Sequence, residues 1–201
     1  MFRPHSAVSL AVAIATVVLL ALAPAAEAAA LVRADAAYDV VRRVCTTEGC
    51  TQRPAPGVQN GDIRRTESRL VNHHVEVTAF FADVRSGRGR AMTVRLVTNE
   101  GVVRWARLAF TTTWPGGELT LHRTLGGPRI DCSAGSYYIT DFSADVLSVG
   151  IHRTCLGSPA SVRVGVKYAR ATSTGTLLDD AGRNGGPVGA RPILGARLVT
   201  G

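Results

Sequence analysis

Four histidines, His73, His74, His122 and His152, are the side chains of this chain best matched to metal ligation or acid–base chemistry near neutral pH. His73 and His74 adjoin, and the other two stand alone. None has the spacing of a His-Glu-x-x-His metal helix, so a site would form only if folding brought two or three of them to an Asp or Glu. Otherwise they are expected on solvated strand faces. No Gly-x-Ser-x-Gly elbow and no phosphate-cradling glycine loop occurs, so no catalytic residue is assigned.

Oxygen ligands give a second candidate. The run from Asp180 to Gly185 places Asp180 and Asn184 at the first and fifth positions of a calcium-type loop and Gly185 at the sixth. Gly182 at the third position and Arg191 at the twelfth, where a bidentate carboxylate is wanted, count against it. Asp35, Asp39 and Asp62 could add oxygens from elsewhere in the chain. On this reading no metal or cofactor is assigned, and Asp180 and Asn184 stand as the weak candidates. Trp105, Trp114, Tyr137 and Tyr138 could build an aromatic platform for sugars, but aromatic residues make up only 5% of the chain and a core needs most of them.

The N-terminus bears on the compartment. Arg3 and His5 precede an apolar, alanine-rich run from Ala7 to Ala23, Pro24 ends it, and Ala26-Glu27-Ala28 has the small-x-small pattern of a signal peptidase site. Residues 1–30 are therefore expected to be a signal peptide cleaved near Ala28 to Ala30, leaving a secreted protein. Nothing later is apolar enough to serve as a transmembrane segment. All four cysteines, Cys45, Cys50, Cys132 and Cys155, follow that run, and an even count in an oxidising compartment reads as two disulfides. Three pairings are open. Cys45 with Cys50 and Cys132 with Cys155 is the simplest, and the spacings fit no zinc finger.

The formal net charge is +8, from 23 Lys+Arg against 15 Asp+Glu, and Lys167 is the single lysine. Arg64, Arg65, Arg85, Arg88 and Arg90, with Arg69 nearby, form the best candidate polyanion contact. A basic balance speaks for non-specific attraction to anionic polymers. Arginine also serves simply to solubilise outward strand faces. No specific nucleic-acid motif is present.

Strands must position whatever chemistry there is. Val75, Val77, Ala79 and Phe81 alternate with His74, Glu76, Thr78 and Phe80, the period of a half-buried strand. Met92, Val94 and Leu96 alternate in the same way, and the pattern from Val102 to Trp114 slips at Arg107, as at a bulge. Leu147, Val149 and Ile151, then Val162, Val164, Val166 and Tyr168, suggest two paired strands joined by a loop holding Cys155. Turn signals recur every 8 to 14 residues with no helical period, which indicates an all-β fold. The expected architecture is a two-sheet antiparallel β-sandwich, immunoglobulin-like or jelly-roll-like. Residues 31–60 are expected as a lead-in with a Cys45–Cys50 turn, 61–201 as the sandwich domain, and 176–189 as a long loop before a closing strand from Pro192 to Val199.

At Gly61-Asp62-Ile63-Arg64-Arg65, Phe81-Ala82-Asp83-Val84 and Cys155-Leu156-Gly157-Ser158-Pro159-Ala160-Ser161-Val162-Arg163-Val164 the chain resembles a group of small secreted actinobacterial proteins. The resemblance spans Asp62 to Tyr168 and implies a β-sandwich and export, with no catalytic residue. More distantly the organisation looks like carbohydrate-binding sandwich modules, with no ligand motif carried over. The function expected is non-catalytic binding or cell-envelope association, with an anionic cell-wall polymer or glycan as partner. The alternatives are a small secreted hydrolase with a dispersed His/Asp site and an extracellular protease inhibitor using the loop after Cys155.

Overall fold

The structure is a computed structural model that describes residues 30–132 and 135–199. The expected signal peptide and its cleavage site lie outside the described residues, apart from Ala30. Among the described residues fourteen strands form two antiparallel sheets packed face to face, a β-sandwich. The smaller sheet runs in the order β1 (Leu31–Ala34), β4 (Ile63–Val71), β5 (His74–Phe81), β11 (Val146–His152), β10 (Tyr137–Asp141). The larger runs β3 (Gly49–Pro54), β2 (Val41–Thr46), β13 (Gly175–Asp180), β12 (Ser161–Thr172), β6 (Arg90–Thr98), β7 (Val103–Phe110), β8 (Glu118–His122), β9 (Arg129–Ile130). A last strand, β14 (Arg197–Val199), pairs with the first residues of β12.

The core is one layer of side chains between the sheets. Val75, Val77, Ala79 and Phe81 of β5 and Leu147, Val149 and Ile151 of β11 meet Met92, Val94, Leu96, Leu108, Phe110, Val162, Val166 and Tyr168 from the opposite sheet. The alternation of β5 holds as read. Its outward Phe80 is covered by the Arg65 guanidinium, 3.9 Å from the ring centroid.

Several expectations need correction. β11 and β12 are not a hairpin: they belong to opposite sheets and face one another across the core. Between them the chain crosses the sandwich through a 3-10 turn, Arg153–Leu156, capped by Gly157 in the left-handed region at φ 83°. Alternation assigns a face to each residue but does not choose the partner strand. The slip at Arg107 is no bulge, because β7 pairs with β6 in unbroken register. Ala106, Leu108 and Phe110 point inward, and Trp105 is buried on the outer face beside Arg95. The register shift lies in β4, between Ile63 and Arg65, and it lets Ile63 and Thr66 both face the core. Residues 176–180, expected within a loop, belong to β13.

Residues 31–60, expected as a lead-in, supply strands to both sheets: β1 edges the smaller one, while β2 and β3 extend the larger. Pro54 is tolerated because β3 is an edge strand, where a missing N–H breaks no ladder. The Cys45–Cys50 bridge joins directly opposed residues of this hairpin, with Cα atoms 4.0 Å apart. Cys132 is bonded to Cys155, Cα atoms 5.8 Å apart, tying the segment before β10 to the crossing turn. Among the described residues no helix is long and apolar enough to cross a membrane.

Candidate functional site

Where β8 and β9 of the larger sheet diverge from β10 of the smaller, the sandwich opens into a cleft of about 530 Å³. Its floor is apolar, with Leu119, Leu121 and Ile151. Its rim carries Trp114, Tyr137 and Tyr138 together with Glu118, Arg129 and Asp131. Trp114, on the turn after β7, is 51% exposed and Tyr138 37%. A large ring left in water next to a cavity is a surface for a ligand with an apolar face. The Tyr138 hydroxyl donates to the Gly117 carbonyl at 2.9 Å, which fixes its ring across the gap between the sheets. Arg129 and Glu118 pair at 2.9 Å and present both charges at the rim. Of the four aromatics weighed as a sugar platform or as core, Trp114 and Tyr138 bring exposed rings to this cleft, while the Tyr137 ring turns to the outer face beside Glu76 and Trp105 lies elsewhere.

Tyr137 connects the cleft to the histidines. In the pairing of β5 with β11, His74 lies opposite His152, and their ring centroids are 5.1 Å apart. His73 stacks on His152 at 5.9 Å, and Tyr137 packs edge-on to His74 at 5.3 Å. The Tyr137 hydroxyl donates to Glu76, whose other oxygen receives Arg69 at 2.7 Å. Burial, then that bond to Glu76, pushes the Tyr137 hydroxyl up to about 12. His74 Nε2 contacts the Gly135 carbonyl at 2.9 Å and His152 Nδ1 the Thr154 hydroxyl at 2.7 Å. His122 is elsewhere, on β8, held by the Gly127 carbonyl and Thr120. Folding thus gathers three of the four histidines, a register effect that spacing along the chain does not show.

Three of the five arginines of the expected patch are ion-paired. Arg64 pairs with Asp62 at 3.2 Å, Arg65 with Glu67 at 3.3 Å and Arg85 with Asp83 at 2.8 Å. Arg88 is exposed, and Arg90 packs beside Gly87. On the outer face of the larger sheet, by contrast, Arg95, Arg163 and Arg191 have no salt-bridge partner among the described residues. Burial, then Arg191 and Arg163, lowers the Arg95 pKa.

Asp180 and Asn184 do not come together as a calcium loop. Asp180 turns to the outer face of β13, where its carboxylate accepts the Ile193 N–H at 3.0 Å, and Asn184 is exposed. The inward neighbour Asp179 instead meets Asp35 and Asp39, with one oxygen of each within 4.8 Å of the others. Asp35 and Asp39 flank the connection that carries the chain from β1 in one sheet to β2 in the other. Burial is the main cause that raises the carboxyls of Asp35, to about 7, and of Asp179, whose second cause is Asp35 itself. Arg183 lies over the group, with Nη2 3.1 Å from Asp39 Oδ2 and 3.8 Å from Asp179 Oδ1. Asp62 is fully buried nearby, pairing with Arg64 and accepting the Tyr38 N–H at 3.1 Å. The sequence signal for Asp179 is a carboxylate at an inward position ending an apolar strand, Thr176-Leu177-Leu178-Asp179-Asp180.

The loop after Cys155 is packed down and does not project. Leu156 is buried in the core and Pro159 is buried as well. No family model, curated protein or solved structure matches the chain.

Proposed function

We propose that this is an exported, non-catalytic binding protein of the cell envelope, and that it holds a glycan in the cleft between β8–β9 and β10. The observation that carries the reading is the pair of exposed rings, Trp114 and Tyr138, over a concave floor, next to the Glu118–Arg129 pair. A pyranose ring offers an apolar C–H face and an equatorial belt of hydroxyls. Exposed aromatic rings match the first, and a carboxylate–guanidinium pair offers acceptors and donors to the second. Export rests on the N-terminal apolar run and on two disulfides, which persist in oxidising compartments. The basic outer face around Arg95, Arg163 and Arg191 adds a weaker, non-specific attraction to anionic wall polymers.

The test is retention on purified cell-wall glycan at low and high salt, with the Trp114→Ala and Tyr138→Ala variants beside the wild type. Binding that survives salt and is lost in both variants supports the cleft. Binding lost in salt and indifferent to both variants means that only the arginine face is at work.

One observation favours a second reading, a hydrolase: His73, His74 and His152 gather on the outer face of the smaller sheet beside Tyr137, whose strand edges the cleft. Turnover of a panel of chromogenic glycosides and esters that is abolished by His74→Ala or His152→Ala would establish it. No turnover by the wild type removes it.

A further inference from the structure

We propose that Asp35, Asp39 and Asp179 bind one divalent cation of hard, oxygen-seeking character, of the calcium class, which clamps the crossover between the sheets onto the end of β13. The first observation is spacing. Two ligands of one calcium ion at about 2.4 Å are at most about 4.8 Å apart, and the three carboxylates each offer an oxygen within that limit. They come from the residue after β1, the approach to β2 and the penultimate residue of β13, so one ion would join both sheets.

The second observation is independent of spacing and points to a missing partner. The Asp39 side chain is about nine-tenths buried, at 9% exposure, yet its Oδ1 has no hydrogen-bond partner, and the contact with Arg183 runs to the other oxygen. Oδ2 of Asp35 is buried and equally unpartnered. Buried carboxylate oxygens are almost always satisfied, because each one left bare loses its hydration with nothing in return.

Charge leads to the same conclusion. Ionised together, the three carboxylates outnumber the guanidiniums beside them, Arg183 at Asp39 and Asp179 and Arg33 at Gly182 next to Asp35, and leave net negative charge in the interior. A divalent cation offsets it. Arg183 does not fill the place, since its Nη2 engages Oδ2 of Asp39 and the Asp39 carbonyl while Nη1 engages the Gly186 carbonyl. The remaining bonds hold the frame and leave lone pairs free: Gly182 N–H donates to Asp35 Oδ1 at 2.6 Å, Asp180 N–H to Asp179 Oδ1 at 2.8 Å and Ile63 N–H to Asp179 Oδ2 at 2.6 Å. Asp62, with its own partner Arg64, belongs to the surround and not to the ion.

The experiment uses the full mature chain, stripped with EDTA and titrated with calcium chloride by calorimetry and by thermal unfolding, with magnesium chloride alongside. The expected result is one calcium per chain and a Tm rise of roughly 5 °C at a hundredfold excess over the dissociation constant. Asp39→Asn should weaken binding at least tenfold, whereas Asp180→Asn, on the outer face, should leave it unchanged. If Asp39→Asn does not fold, Asp35→Asn is read in its place. Absence of both heat and Tm shift in the wild type overturns the proposal, as does undiminished affinity in the Asp39→Asn or Asp35→Asn protein.

Discussion

The carboxylate of Asp179 accepts the main-chain N–H of Ile63 at 2.6 Å, joining the end of β13 to the start of β4 through the interior of the sandwich. Asp179 and Asp35 are buried together, and burial raises the Asp35 carboxyl from 3.8 to about 7. Both groups hold protons more tightly folded than unfolded. Between pH about 4 and about 7 the folded state therefore carries more protons than the unfolded one, and stability falls as pH rises through that window. In calcium-free buffer the Tm should decline from about pH 5 to about pH 8. Asp35→Asn keeps an acceptor for Gly182 and removes the titration, so its profile should be flatter than that of the wild type. A wild-type Tm that rises or stays level over this range, or a variant profile of the same slope, contradicts the assignment.

Tyr168 offers a separate test of the core. Its ring is 1% exposed and packs edge-on to Phe81, with centroids 5.0 Å apart, but its hydroxyl has no hydrogen-bond partner. Burial pushes that hydroxyl up to about 12. Tyr168→Phe keeps the ring and deletes a desolvated polar atom that gains nothing in the fold. The variant should match the wild type or exceed it by up to about 1 kcal/mol in urea unfolding. A loss of more than that would show that the hydroxyl has a bridging water.

These two cases show what could be read from the chain. Apolar alternation in β5, β6, β11 and β12 gives the inward face correctly, and a two-sheet sandwich follows from the number of such runs. Partnership between strands is another matter. β11 and β12 satisfy the pattern of a hairpin equally well as paired neighbours or as opposite walls of a core, and a connection through Arg153–Leu156 fits both. The same blindness hid the sites. His74 and His152 meet through the register of β5 on β11, and Asp179 meets Asp35 and Asp39 from more than 130 residues along the chain. The aromatics Trp114, Tyr137 and Tyr138 were legible as a type, while their meeting at one edge depended on where two sheets diverge. Polar residues at inward positions, Asp179 above all, break the pattern that locates the core, and that break was the available signal.

The two disulfides should differ in what they protect. Cys132–Cys155 spans 23 residues and ties the segment before β10 to the crossing turn, so removing both cysteines should cost about 3 kcal/mol of global stability. Cys45–Cys50 spans 5 residues within an edge hairpin. Its chain-entropy contribution is about 2 kcal/mol at most, and the effect should be local. Hydrogen exchange on a Cys45→Ala/Cys50→Ala protein should speed up in residues 41–54 and remain unchanged in β5, β6 and β12. Faster exchange across the whole core would show that the hairpin is part of the global unfolding unit.

Gly150 gives a handle on β10, the strand that edges the cleft. It lies on β11 opposite Tyr137 of β10, and a Cβ there would run into the Tyr137 ring. The ring is held from its other end by the hydroxyl's bond to Glu76, so it cannot simply slide away. Gly150→Ala should therefore displace Tyr137, lower stability by about 1–3 kcal/mol and weaken glycan retention. Tyr137→Ala alone should weaken retention too, and adding Gly150→Ala to it should cost little further stability, since the colliding ring is gone. Tyr137→Phe separates ring from hydroxyl: retention should persist while the bond to Glu76 is lost. If Gly150→Ala destabilises equally with and without the Tyr137 ring, the two residues are not coupled and Tyr137 is not the ring that the glycine makes room for.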